Sequence, residues 1–168
     1  MLRSQGVAVK TGKAAHPDPL TAAVRFLTFG DRSSKEVVDF LHGRGYSTSV
    51  IRITRRTLER LGYLNEEQAA RHLAQSQLQR RPMGRSALQA ILSSRGFAEK
   101  IVDLAVSEAY EGKTEQEVAA RFLRSLPVTS TDVMRETRRR AAALATRGFP
   151  QELIEPLLVS ELSDQGAS

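Results

Sequence analysis

The chain has 168 residues, with 25 Lys+Arg against 19 Asp+Glu and a formal net charge of +6. It has no cysteine and three scattered histidines, His16, His42 and His72, which excludes disulfide staples, thiolate zinc sites and cysteine nucleophiles and argues against a histidine metal cluster. A mean hydropathy of −0.33, no apolar run of membrane-spanning length and no signal-peptide core at the N-terminus predict a cytoplasmic protein with no membrane contact.

Residues 1–16 carry Arg3, Lys10 and Lys13 without an acid and show neither helical nor strand periodicity. They are expected to form a disordered basic tail. From residue 17 onward the pattern is helical throughout, with no hairpin signal. Ser33-Ser34-Lys35-Glu36 and Thr114-Glu115-Gln116-Glu117 are capping boxes, and Asn65-Glu66-Glu67-Gln68 is a variant with asparagine as the cap.

Two signatures recur. Arg44-Gly45-Tyr46, Arg95-Gly96-Phe97 and Arg147-Gly148-Phe149 are one tripeptide used three times, its glycines 51 and 52 residues apart. Glycine there suits the left-handed conformation that ends a helix. Upstream, Ala23-Val24-Arg25-Phe26-Leu27, Ala69-Ala70-Arg71-His72-Leu73 and Ala119-Ala120-Arg121-Phe122-Leu123 align without gaps. Together they indicate a triplication, each unit reading as three helices: 19–29, 34–43 and 48–61; 66–80, 84–95 and 98–110; 114–126, 131–146 and 150–162.

The predicted fold is therefore all-α, a tandem array of three helix-turn-helix-like units (17–64, 65–112 and 113–162), elongated and curved, with 163–168 frayed. Stacked units are expected to share a continuous core. Val50, Ile51, Leu58 and Leu61 should form the apolar face of the third helix, and Tyr63 and Tyr110 should anchor packing. His72, aligned with Phe26 and Phe122, should be partly buried. Pro156 predicts a bend in the last helix.

Charge is uneven. From Gln68 to Ala98 there is no acid but there are five arginines, Arg71, Arg80, Arg81, Arg85 and Arg95. The third helix of unit one adds Arg52, Arg55, Arg56 and Arg60, and Arg138-Arg139-Arg140 forms another run. From Gln151 to the end only acids stand, Glu152, Glu155, Glu161 and Asp164. Such a basic middle attracts a phosphate backbone or an acidic protein groove, although any single arginine also reads as a solvated helix surface. The candidate binding residues are Arg52, Arg55, Arg56, Arg60, Arg71, Arg80, Arg81, Arg85, Arg138 and Arg139. No phosphate-binding glycine loop, dinucleotide fingerprint, zinc-protease helix or nucleophile elbow occurs, so a binding protein without cofactor is expected, not an enzyme.

At the junction of units one and two the chain reads Leu58-Glu59-Arg60-Leu61-Gly62-Tyr63-Leu64-Asn65-Glu66-Glu67-Gln68-Ala69-Ala70. This resembles the RecX family of bacterial regulators. The order around it also matches, from Ala-x-Arg-x-Leu through a Ser-x-x-Glu start to an Arg-Gly-aromatic stop. The basic segment Arg80-Arg81-Pro82-Met83-Gly84-Arg85 is similar to the family's, and the likeness spans about residues 18–162. Ala69 stands where the family often has an aromatic, and unit three diverges. The resemblance implies a monomeric regulator that binds the RecA recombinase filament, meets DNA as part of that filament and free DNA only weakly, and mostly inhibits recombinase, ATPase and co-protease activity. The alternative is a helix-turn-helix-type DNA-binding protein or transcription regulator.

Overall fold

A computed structural model describes residues 17–165, with side chains as far as Glu161; the predicted basic tail lies outside the described residues. Among these there are nine helices and no strand: α1 (Pro19–Leu27), α2 (Ser34–Gly43), α3 (Thr48–Arg60), α4 (Glu66–Arg80), α5 (Arg85–Ser94), α6 (Glu99–Ala109), α7 (Glu115–Ser125), α8 (Val133–Thr146) and α9 (Gln151–Gln165). The fold is all-α, and its helices pack in three consecutive triplets. The largest difference in boundaries is at α9, which ends at Gln165 instead of 162 and runs through Pro156. Both capping boxes form, and Asn65 Oδ1 accepts the Gln68 N–H at 3.0 Å. Gly45, Gly96 and Gly148 end their helices at φ of +83°, +83° and +73°, a region where a side chain costs roughly 1–2 kcal/mol.

The expected continuous core is divided. Ala23, Val37, Leu41, Ile51, Leu58 and Leu64 form one cluster within unit one. A second, larger cluster joins units two and three around Leu88, Leu92, Phe97, Leu123, Leu144 and Ile154. In α3 the buried stripe is Ile51, Thr54 and Leu58, while Val50 and Leu61 are exposed at its margins. The predicted face held too many apolar positions for a helix that packs on only two neighbours. Tyr110 is buried and its hydroxyl donates to the Met83 carbonyl, and burial pushes that hydroxyl's pKa up. Tyr63, in contrast, is 55% exposed, because its backbone lies in the turn after α3 and no helix covers it.

Successive units meet through a polar junction that is built the same way twice. The arginine of the second and third Arg-Gly-aromatic stops reaches the unit before it. Arg95 Nη2 donates to Asp31 O at 2.6 Å, and Arg147 Nη1 donates to Pro82 O at 3.2 Å. The accepting carbonyl lies two residues before the N-cap of α2 (Ser33) and of α5 (Gly84). The same arginines' own carbonyls are bound from that cap: Ser33 Oγ donates to Arg95 O at 2.6 Å and Gly84 N–H to Arg147 O at 2.8 Å. The first acid of the following unit completes the cap. Glu66 Oε1 accepts the Ser34 N–H and Glu115 Oε1 accepts the Arg85 N–H, each at 2.8 Å. Helix N-termini present unsatisfied N–H groups and a positive dipole end, so a carboxylate from the neighbouring unit is a fitting partner.

Candidate functional site

The ten candidate arginines divide into free and engaged groups. On α3, Arg52, Arg56 and Arg60 are exposed and make no ion pair among the described residues. Their spacing of four puts them on one side of the helix, opposite the buried Ile51–Thr54–Leu58 stripe, with Ile53 exposed at 64% between them. Arg80 and Arg81, at the end of α4, are exposed and likewise without an acidic partner among the described residues, as is Arg138 on α8. These six guanidiniums carry unneutralised charge into solvent, the condition for binding phosphate or acidic protein.

The other four are half-buried and engaged by the chain's own groups. Arg55 pairs with Glu59 at 3.1 Å across one helical turn. Arg71 pairs with Glu108, linking α4 to α6. Arg85 lies 4.3 Å over the Tyr110 ring and begins α5. Arg139 donates to Glu136 and to the Pro127 carbonyl, at 2.6 Å for the latter.

Glu136 and Arg140 are both buried in unit three, and Arg140 also reaches Glu161. Hydrogen bonds from Arg139, and then from Arg140 and Thr129, outweigh the opposing effect of desolvation and bring the Glu136 carboxyl down to about 2. At the first junction, burial alone would raise Glu36, but Arg95 and the Ser33 N–H overcome it and leave its pKa below the ordinary carboxylate value.

His72 is exposed, not partly buried, and its Nδ1 stands 3.5 Å from Asp31 Oδ1. Its two aligned phenylalanines face apolar neighbours, whereas position 72 faces the polar unit-one junction. Along the chain, Glu66 and Glu115 stand as first-turn acids of α4 and α7. The signal that pointed further was Gly84, a helix start with no side chain to cap it.

Among the described residues no group of three or more His, Cys, Asp or Glu could hold a metal ion, and no helix is long and apolar enough to cross a membrane. What these residues present to solvent is charge: arginine forks on unit one, on the segment after α4 and on α8.

No protein-family model matches the chain. It is similar to the regulatory protein RecX of Mycobacterium tuberculosis, 30% identical over 148 residues covering 83% of each chain. It is also similar to that of Chlorobium phaeobacteroides, 29% identical over 136 residues that span 81% of this chain and 88% of the relative. The crystal structure of RecX from Lactobacillus salivarius superposes with a TM-score of 0.73 over 86% of this chain and 94% of that one, at 21% identity, and so shares the fold. With relatives of this identity over most of both chains, and with the same helical architecture, the chain belongs to the RecX family of regulatory proteins.

Proposed function

We propose that this chain is a non-enzymatic regulator of the RecA recombinase, acting in the cytoplasm as a monomer. It binds the RecA–DNA filament and mostly inhibits recombinase, ATPase and co-protease activity, with free DNA bound only weakly. The likeness to proteins named regulatory protein RecX over 83% of the chain carries the reading. The free arginines support it: Arg52, Arg56 and Arg60 on α3, Arg80 and Arg81 after α4, and Arg138 on α8. A filament offers phosphates and protein carboxylates along its length. Guanidinium forks bind both groups in two-pronged fashion, and an elongated array of units gives them several points of contact along a groove. Arg55, Arg71, Arg85 and Arg139 hold the scaffold that presents them.

The test is ATP hydrolysis by the cognate RecA on single-stranded DNA, with this protein titrated below one per recombinase monomer. Inhibition well below stoichiometry is expected, since competition for DNA alone needs enough protein to cover it. The paired variants Arg52→Glu/Arg56→Glu and Arg80→Glu/Arg81→Glu should lose inhibition while helicity and Tm hold. Full inhibition by both variants would show that the arginines are solvent-facing only. The α2–turn–α3 pair with its arginine-bearing second helix is the basis of the second reading. Absence of inhibition together with sequence-selective duplex binding would favour that helix-turn-helix reading.

A further inference from the structure

We propose that a cleft at the outer end of unit one stacks a base of single-stranded nucleic acid and holds its phosphate with Arg25 and Arg44. The cleft has a volume of about 400 Å³, and Arg25, Phe26, Phe29, Phe40 and Arg44 are among the residues that line it. The chain is poor in aromatics, yet three of its six phenylalanines meet here. Phe26 and Phe40 are stacked with centroids 4.2 Å apart and planes 6° from parallel. The Arg32 guanidinium lies 4.7 Å over Phe26 and that of Arg44 lies 4.6 Å over Phe40. Phe29 is 73% exposed and lines the cleft with the other two rings.

The glycine of this unit's stop is uncovered among the described residues, unlike its two counterparts. In units two and three the Arg-Gly-aromatic face is pressed against the preceding unit, where a Cβ on Gly96 or Gly148 would collide with Lys35 or Ala87. At Gly45 nothing stands within 4 Å among the described residues.

Charge selects the occupant. Arg25 and Arg44 are exposed and have no acidic partner among the described residues, and the nearby Asp18 carboxylate is held by the N–H and hydroxyl of Thr21. The chain's own preceding residues carry Arg3, Lys10 and Lys13 and no acid, so like charge disfavours them as the occupant. Arg32, Phe26, Phe40 and Arg44 form a closed stack, so the ring left open to a base is Phe29, and a polyanion with planar rings matches that ring and the cations beside it. Stacking on aromatics beside a cationic rim is the usual means of gripping single strands, because every base has a π face. An acidic peptide without aromatic side chains would use the arginines and leave Phe29 uncovered.

This inference deepens the DNA part of the proposed function, and its test omits RecA so that the two can fail separately. The chain has no tryptophan, so Phe29→Trp installs a single tryptophan, in the cleft, that can be excited apart from the tyrosines. Titration with oligo(dT) should quench it to saturation, and an abasic oligomer of the same length and charge should quench it much less. Phe29→Ala should weaken oligo(dT) binding on the order of ten-fold and leave abasic binding unchanged, whereas Arg25→Gln should weaken both. Because Phe29 is exposed, an unchanged circular dichroism spectrum and Tm are expected for these variants. Equal binding of oligo(dT) and the abasic oligomer would overturn the proposal, as would full affinity in Phe29→Ala. Displacement of oligo(dT) from the cleft by a glutamate- and phenylalanine-containing peptide that binds more tightly would overturn it in favour of a protein partner.

Discussion

Replacing Gly84 by alanine isolates the energetic weight of one inter-unit junction. Gly84 is the N-cap of α5 at φ −71°, a conformation open to any residue, so alanine brings no backbone strain there. Its Cβ would overlap the Gly148 carbonyl and stand 2.8 Å from Phe149 N. Both are backbone atoms, and neither can yield unless unit three moves away from unit two. Three hydrogen bonds span that contact: Gly84 N–H to Arg147 O at 2.8 Å, Ser86 Oγ to Gly148 O at 2.7 Å and Arg147 Nη1 to Pro82 O at 3.2 Å. At about 0.5–1.5 kcal/mol for each neutral bond and about 1.5–3 for the charged donor, their loss destabilises by about 2.5–6 kcal/mol. For a chain of this size that lowers Tm by roughly 5–25 °C, measured by circular dichroism at 222 nm. Gly43 is the control. It ends α2 with nothing within 4 Å, so Gly43→Ala should stabilise by about 0.5–1 kcal/mol. A Gly84→Ala protein that melts with the wild type would refute the view that this close contact holds the units together.

Arg95→Lys probes the other junction. Lysine cannot reproduce the two-pronged contact with Glu36 (2.8 and 3.1 Å) together with the bond to Asp31 O, so a loss of about 1–2 kcal/mol and faster amide exchange at Ser34 are expected; unchanged exchange would remove the junction role. Acid should weaken unit three in particular. The Glu136 carboxyl titrates near 2 in the folded state against an ordinary 4.5, so its stabilising effect is complete above about pH 4.5 and is lost as pH falls toward 2. Glu136→Gln should therefore melt below wild type at pH 7, with the gap narrowing as pH falls from about 4.5 toward 2; a gap independent of pH would show that the carboxylate charge contributes nothing.

Much of this protein was legible in its residues. Helix period, the Ser33 and Thr114 capping boxes and the thrice-repeated Arg-Gly-aromatic stop are local features, and local backbone chemistry decides where helices begin and end. The Leu61-Gly62-Tyr63-Leu64 junction carried the RecX likeness for the same reason, since it lies in one continuous stretch. The exposed arginines of α3 also followed from period, because a helix that buries Ile51 and Leu58 must turn Arg52, Arg56 and Arg60 outward.

Other features depended on which residues meet across 30 or more positions. Arg71 looks like Arg52 along the chain, yet Glu108 neutralises it, and only the packing of α4 against α6 brings that acid near. Helix-cap chemistry likewise crosses from one unit to the next: Glu66 and Glu115 complete α2 and α5, which no spacing rule within a helix foretells. The division of the core, the exposure of His72 and Tyr63, and the gathering of Phe26, Phe29 and Phe40 into one open cleft have the same origin. Periodicity assigns a side chain to a face of its own helix, whereas the units' placement against one another determines whether that face meets a neighbour, a charge or solvent.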